Sequence, residues 1–447
     1  MNTNGMKVAL AGALLLAGLV PAGDAQDLLP AAAPQSAPVL IADATLHTVS
    51  GDVIEHGWLL FDDGVIQAVS ARPLTAPTAD TLQIDGRGKH VYPGLVLALS
   101  RLGLTEVDAV DMTLDYNEAG GMSPEVAAWT AVNPDSTLIP VTRRNGVLVV
   151  GTLPVGGLLP GRLSVLQLDG WTAADLALER DAGTVVDWPD FDGSDSAAWR
   201  SVAPDKLSDA QQALARIDGM FDAAAAYGAA RAADAGLPTD LRLEALQPVL
   251  AGERPVFLMA DREAQIDSAV RWAVARGLRA VVVGGRDALL CADLLKAHDV
   301  PVVLGGSFGM PPRRDSSYAT SWRRPAELEA AGVRWSMSMG VGEASNARNL
   351  PYEVAACLPH GLDAAAALRA ITLSPAEALG VADRVGSLDV GKHATLLLTD
   401  GSPLELTTTL EAAWIGGRRL DLVDKQTALD AKYREKYRQL GLLPGDS

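Results

Sequence analysis

The stretch Val91–Leu104, VYPGLVLALSRLGL, decides the fold of this chain. It opens on the turn signal Tyr92-Pro93-Gly94, runs through the apolar residues Leu95–Leu99, and leaves by Ser100-Arg101 to another glycine, Gly103. A short apolar run between Pro/Gly punctuation suits a strand buried on both faces, as in a parallel sheet or a barrel.

Working outward toward the N-terminus, Pro38–Val91 reads as β structure throughout. VLIADATLHTV is strand-like, and WLLFDDGVIQAV is a hairpin turning at Asp63-Gly64, a dipeptide that accepts the positive φ angles of a type I′ turn. Such a hairpin cannot bury its apolar face alone. Matching partners stand at the far end of the chain, in HATLLLTDGSPL and AAWIGGRRLDLV. A small β-sandwich domain formed from both chain ends, 26–92 and 386–423, is therefore expected, with a helix at 424–447.

Between them, 93–385 alternates strand-like runs (VLVVG, RLSVLQL, PVFLMA, AVVVGG, VPVVLGG, VRWSMSMG) with amphipathic stretches, one of them opened by the N-cap candidate Ser208. Alternating β and α over this length indicates an α/β fold, and a (β/α)8 TIM-like barrel fits best. The Asp/Ser/Gly/Trp-rich region 178–206 reads as a loop insertion over the barrel, with Trp188 and Trp199 belonging either to a lid or to the core.

At 447 residues the chain exceeds one ordinary core, and 48% hydrophobic with 21% charged residues describes a globular protein. A net charge of −18 opposes binding to nucleic acid or to anionic membrane surfaces. The segment 1–25 carries Lys7, an apolar run Val8–Val20 and small residues at Gly23 and Ala25, the pattern of a signal peptide cleaved near Ala25. A secreted or periplasmic location follows as an expectation, with no membrane association after cleavage. The two cysteines, Cys291 and Cys357, each sit among apolar helical neighbours and are expected to be separate buried thiols.

The Pro-Gly strand, RRNGV (143–147), GLDAAAALRAITLSPAEALGV (361–381) and VGSLDVGKHATLLLTDGSPLE (385–405) together resemble the amidohydrolase superfamily, especially its imidazolonepropionase-like branch. That resemblance implies a hydrolase of non-peptide C–N bonds in cyclic amides. It also implies one or two divalent metals, zinc in type, that acidify a bound water. The implied ligands are a His pair on strand one, sometimes a carboxylated Lys on strand four, a His each on strands five and six, and an Asp on strand eight. Those slots hold Leu99 and Arg101, Met259, Gly284-Gly285, and Met339-Gly340. Lys206 and Lys296, the lysines of the barrel region, lie outside strand-like runs. None of the six histidines ends a barrel strand: His47, His56 and His90 fall in the β domain, His298 and His360 at helix ends, His393 in the returning sheet.

The expectation is a member without a metal cofactor and with degenerate catalysis, acting by binding a small molecule or a paralogous amidohydrolase subunit, with homodimerisation left open. Candidate ligand-binding residues are Arg101, Asp261, Arg262 and Asp315. Arg101 could grip a carboxylate in bidentate fashion or pair with Glu106 or Asp108. Two alternatives stand beside this: an active C–N hydrolase using Arg101, Asp261 and Asp315, or a purely structural subunit. No P-loop or CxxC motif is present.

Overall fold

In a computed structural model, which describes residues 29–191, 206–311, 313–340 and 342–443, apolar alternation near both chain ends produces one eight-stranded sheet. The leader expected at 1–25 lies outside these residues, as does Trp199. The strands of the N-terminal part are β1 (Val39–His47), β2 (Val53–Asp62), β3 (Val65–Ser70), β4 (Leu82–Asp85) and β5 (His90–Pro93). Asp63 and Gly64 turn the β2–β3 hairpin with φ of 47° and 76°, as the type I′ reading requires.

The organising run becomes β6 (Leu95–Ser100), every residue of it buried. It starts a second eight-stranded sheet with β7 (Val147–Thr152), β8 (Gly161–Gln167), β9 (Ala177–Asp187), β10 (Val256–Ala260), β11 (Ala280–Gly284), β12 (Val302–Leu304) and β13 (Trp335–Met337), ordered as in the sequence. The chain then returns to the first sheet through β14 (Leu396–Thr399), β15 (Leu410–Ile415) and β16 (Arg418–Arg419). Here β14 pairs antiparallel with β5, and β1 lies on the other side of β5. The β3 edge folds over to meet the approach to β14, where Ile66 N donates to Lys392 O (2.8 Å) and Ala394 N to Gly64 O (2.8 Å). Ile41, Phe61, Leu396 and Trp414 fill the space enclosed.

The second sheet is the expected barrel, with one strand reversed. All neighbours pair in parallel except β8, which runs antiparallel to both β7 and β9. The connections 153–160 and 168–176 are too short for a helical crossover, so hairpin-like links are the geometry they permit. The expectation of a loop over 178–206 is corrected: its first part is β9, the fourth barrel strand. Its polar residues mislead because they lie in ion pairs along the strand. Asp181 holds Arg162 at 2.8 Å, and Glu179 holds Arg254 at 3.2 Å and Arg384 at 3.0 Å. The helix Lys206–Ala233 is already running before Ser208, so Ser208 is not its N-cap.

Between β13 and β6 the ring is closed by bridges. Val96 N donates to Ile371 O (2.8 Å), Met337 N to Ala370 O (2.9 Å), and Ser338 Oγ to Leu99 O (2.7 Å). Alternate residues divide the barrel wall. Val96, Val149, Val165, Val185, Phe257, Val283 and Val303 fill the interior above Leu379 and Val381, while Leu97, Val150, Val186, Leu258 and Val282 pack outward. Both cysteines are free and buried. Among the described residues no helix is long and apolar enough to cross a membrane.

Candidate functional site at the barrel mouth

In barrels of this kind, chemistry gathers where the parallel strands end. At the end of β6, Leu99 is 1% exposed and belongs to the interior cluster. Its backbone is fixed on both sides by Ser338, whose Oγ donates to Leu99 O and accepts from Leu99 N at 3.2 Å. Arg101 follows. Its Nε donates to Gly342 O (3.1 Å), its guanidinium lies 4.2 Å from the Tyr116 ring centroid, and Nη2 stands 3.6 Å from Asp108. Of the two partners weighed from sequence, Asp108 is the one engaged; Glu106 instead accepts from Asn133 Nδ2 at 3.2 Å.

The other slots are closed by shape. At the end of β11, Gly284 has φ of 99°, and a Cβ there would stand 2.6 Å from Asp261 Oδ1. Gly340 has φ of 94°, again unsuited to a residue with a side chain. Met259, half-buried on β10, packs its side chain onto the interior cluster. A divalent zinc-type ion needs several nitrogen, sulfur-anion or oxygen donors converging on one point. Among the described residues no group of three or more His, Cys, Asp or Glu does so. An aliphatic chain, a thioether, two glycines and a guanidinium do not fit such an ion.

Asp261 and Arg262 are consecutive, while Arg101 and Asp315 stand on other loops. Asp261 is tied to Arg286, accepting from its backbone N (3.2 Å) and from Nη2 (3.3 Å). Arg262 precedes the helix Glu263–Ala275, its N donating to Gln265 Oε1 at 3.2 Å. With Glu263, Asp267, Asp287 and Arg313 it lines a separate cavity of about 710 Å³. In that cavity Asp287 binds Arg313 through both oxygens at 2.9 and 2.7 Å. Asp315 is exposed on the loop after β12. No hydrogen bond or ion pair links Arg101, Asp261 and Asp315 to one another. Trp188 is core: it is 2% exposed, its Nε1 donates to Ser268 Oγ (2.8 Å), and its ring lies 5.1 Å from that of Trp272.

One mouth residue escapes a reading of the sequence. Asp187 ends β9, two residues beyond the interior-facing Val185 and paired in register with Met259, so it shares their inward face. Its side chain has no hydrogen-bond or ion-pair partner among the described residues. The residue is open to solvent, yet burial pushes its carboxyl up to about 6. Crowding by neighbouring protein disfavours the charged form even where water reaches the group from one side. The available sequence signal is TVVDWP, a β-branched run ending in an acid, which reads as a strand tip once the flanking polar residues are discounted.

A carboxyl raised from 3.8 to about 6 keeps its proton in the folded state over a range where the unfolded chain has lost it. Its contribution to stability is present below pH 4 and is lost as pH rises through 6. Asp187→Asn is therefore expected to raise the melting temperature at pH 7.5 and to leave it unchanged near pH 3.5. Allowing for solvent screening, the gain is about 1 kcal/mol. Paired thermal scans at the two pH values check this.

The Amidohydrolase family model matches residues 265–423. Amidohydrolase tasK of Hapsidospora irregularis is 24% identical over 403 residues, covering 81% of this chain and 39% of its own length. The chain thus spans about two fifths of that relative. Among solved structures, an amidohydrolase from Thermotoga maritima MSB8 superposes with a TM-score of 0.74 at 22% identity, covering 86% of this chain and 99% of that one. A prolidase complexed with N-methylphosphonate-L-proline gives a TM-score of 0.52 at 17% identity, with coverages of 86% and 99%.

Proposed function

We propose that the chain is an exported member of the amidohydrolase superfamily that has left metal-assisted hydrolysis and acts by binding at its barrel mouth. The observation that carries this is the joint replacement of the ligand slots. Leu99 is sealed in the interior, Gly284 has no room for a side chain, Met259 offers only a thioether, and Gly340 offers nothing. Loss of one donor could be compensated by a neighbour. Loss on strands one, five, six and eight together leaves a single carboxylate, Asp187 at the end of the fourth strand, which is too few donors to hold an ion that acidifies water. Export rests on the leader-like composition of 1–25.

A second reading, a non-catalytic subunit docked on an active relative, is favoured by large apolar side chains on two loops at the same barrel end. Val107 and Met112 follow β6, exposed by 51% and 95%; Phe308 and Met310 follow β12, exposed by 63% and 88%.

Elemental analysis of protein purified without chelator, then dialysed against zinc and against buffer, tests the proposal. Less than about a tenth of an equivalent of zinc, manganese or iron per chain is the expected result. Stoichiometric metal removable by chelator would sink it.

A further inference from the structure

Resting on the reading of a metal-free binding site, we infer that the mouth takes an organic ammonium ligand, with Asp187 as its charge anchor against an apolar wall. Three features converge on this. The carboxylate of Asp187 is solvent-accessible, faces the barrel interior side and has no internal partner among the described residues. Met259, its neighbour in register, and Val155, three residues before the Leu158 that binds its backbone, are half-buried and pack on the interior cluster. The β7–β8 turn that carries Val155 is fixed to both neighbours: Leu158 O accepts from Asp187 N (2.9 Å), and Val155 N donates to Tyr116 O (2.7 Å).

The chemistry of the ligand follows from what the mouth can satisfy. A single carboxylate with thioether and aliphatic neighbours offers too few donors for a metal ion. An anion would meet Asp187 directly. The nearby cation, Arg101, is already engaged by Gly342 O, the Tyr116 ring and Asp108. A primary or secondary amine with an apolar body supplies what is missing: N–H donors for a charge-assisted hydrogen bond to Asp187, and carbon surface for Met259 and Val155. Sites of this make-up, mostly apolar with a few oriented polar groups, are the usual form of small-molecule pockets.

Isothermal titration at pH 7.5 with benzylamine, benzyl alcohol and benzoate tests this. Benzylamine is expected to bind at least about tenfold more tightly than either of the other two. Asp187→Asn should remove that preference, and Met259→Ala should weaken benzylamine several-fold while keeping the preference. Asp187→Asn removes a desolvated charge, so it should fold, and its melting temperature verifies this before titration. Equal affinity for the amine and the alcohol, undiminished amine binding by Asp187→Asn, or no binding of the amine would each overturn the inference. If the protein proves free of metal and still shows no amine preference, the inference alone falls. If it proves to carry metal, the underlying reading falls with it.

Discussion

Leu99→His combined with Arg101→His is expected to destabilise the protein by about 3 kcal/mol without creating a metal site. Leu99 is 1% exposed among Val96, Ala98, Val149 and other interior side chains. An imidazole there exchanges aliphatic packing for two ring nitrogens that need partners. The hydrogen-bonding groups nearest it, the backbone N and O of residue 99, are already held by Ser338. The second substitution removes the guanidinium that clasps Gly342 O and lies on Tyr116, loosening the loop after β6 from the loop after β13. Neither change supplies the remaining donors, because the facing positions are Met259, Gly284 and Gly340. With the Asp187 carboxylate on the same inward face, two imidazoles make three donors, short of the four-coordinate shell of a structural zinc site. Urea denaturation of the double variant, with metal content measured after zinc dialysis, checks both parts. An unchanged midpoint with tight zinc binding would show a site ready to be restored, and would contradict the closed geometry described above.

The parts of this molecule that a sequence reader can see are those where one physical rule dominates. The run Leu95–Leu99, short and bounded by Pro-Gly, suits a strand buried on both faces, and it is one. Asp63-Gly64 could turn a hairpin as few dipeptides can, and both residues take positive φ. The empty ligand slots were visible because absence of a donor is a property of residue type and needs no coordinates. What stayed hidden was set by partners distant in sequence. The polar start of β9 looked like loop because Arg162, Arg254 and Arg384, which neutralise it, come from three separate segments. The reversal of β8 could not be read from its own apolar pattern, which suits either direction. Misplacing β9 then hid Asp187, since a carboxylate in a loop is ordinary and a carboxylate at a barrel strand's end is not. Arg101, Asp261 and Asp315 were legible as charges near strand ends. That they form no single site was not, because it depends on Arg286 and on the loop 313–319.

Asp169→Ala is expected to cost about 3–5 kcal/mol, a loss comparable to that of the Leu99 and Arg101 double variant. Asp169 is 3% exposed just past β8 and accepts from Arg143 Nη1 (3.3 Å), Arg418 Nε (3.0 Å) and Ala32 N (3.1 Å). These partners lie on the helix Leu138–Arg143 beside the barrel, on β16 of the terminal sheet, and on the N-terminal lead-in, so one carboxylate ties the two sheets and the lead-in together. Arg143 is itself 5% exposed, and burial outweighs the nearby acid to lower its pKa. Its Nε already has no hydrogen-bond partner. Removing the carboxylate leaves the two guanidiniums with the neutral backbone oxygens of Leu168 and residue 169 as acceptors, whereas Asp169→Asn keeps a side-chain acceptor and should cost less, about 2 kcal/mol. Because β8 runs against its neighbours, its C-terminal end lies at the barrel end away from Leu99, Met259 and Asp187. Loss of stability and loss of ligand binding should therefore separate. In urea titrations Asp169→Ala unfolds early, while at low temperature without urea its benzylamine affinity matches the unmodified protein. A parallel loss of both would mean that the interface between the sheets shapes the mouth directly.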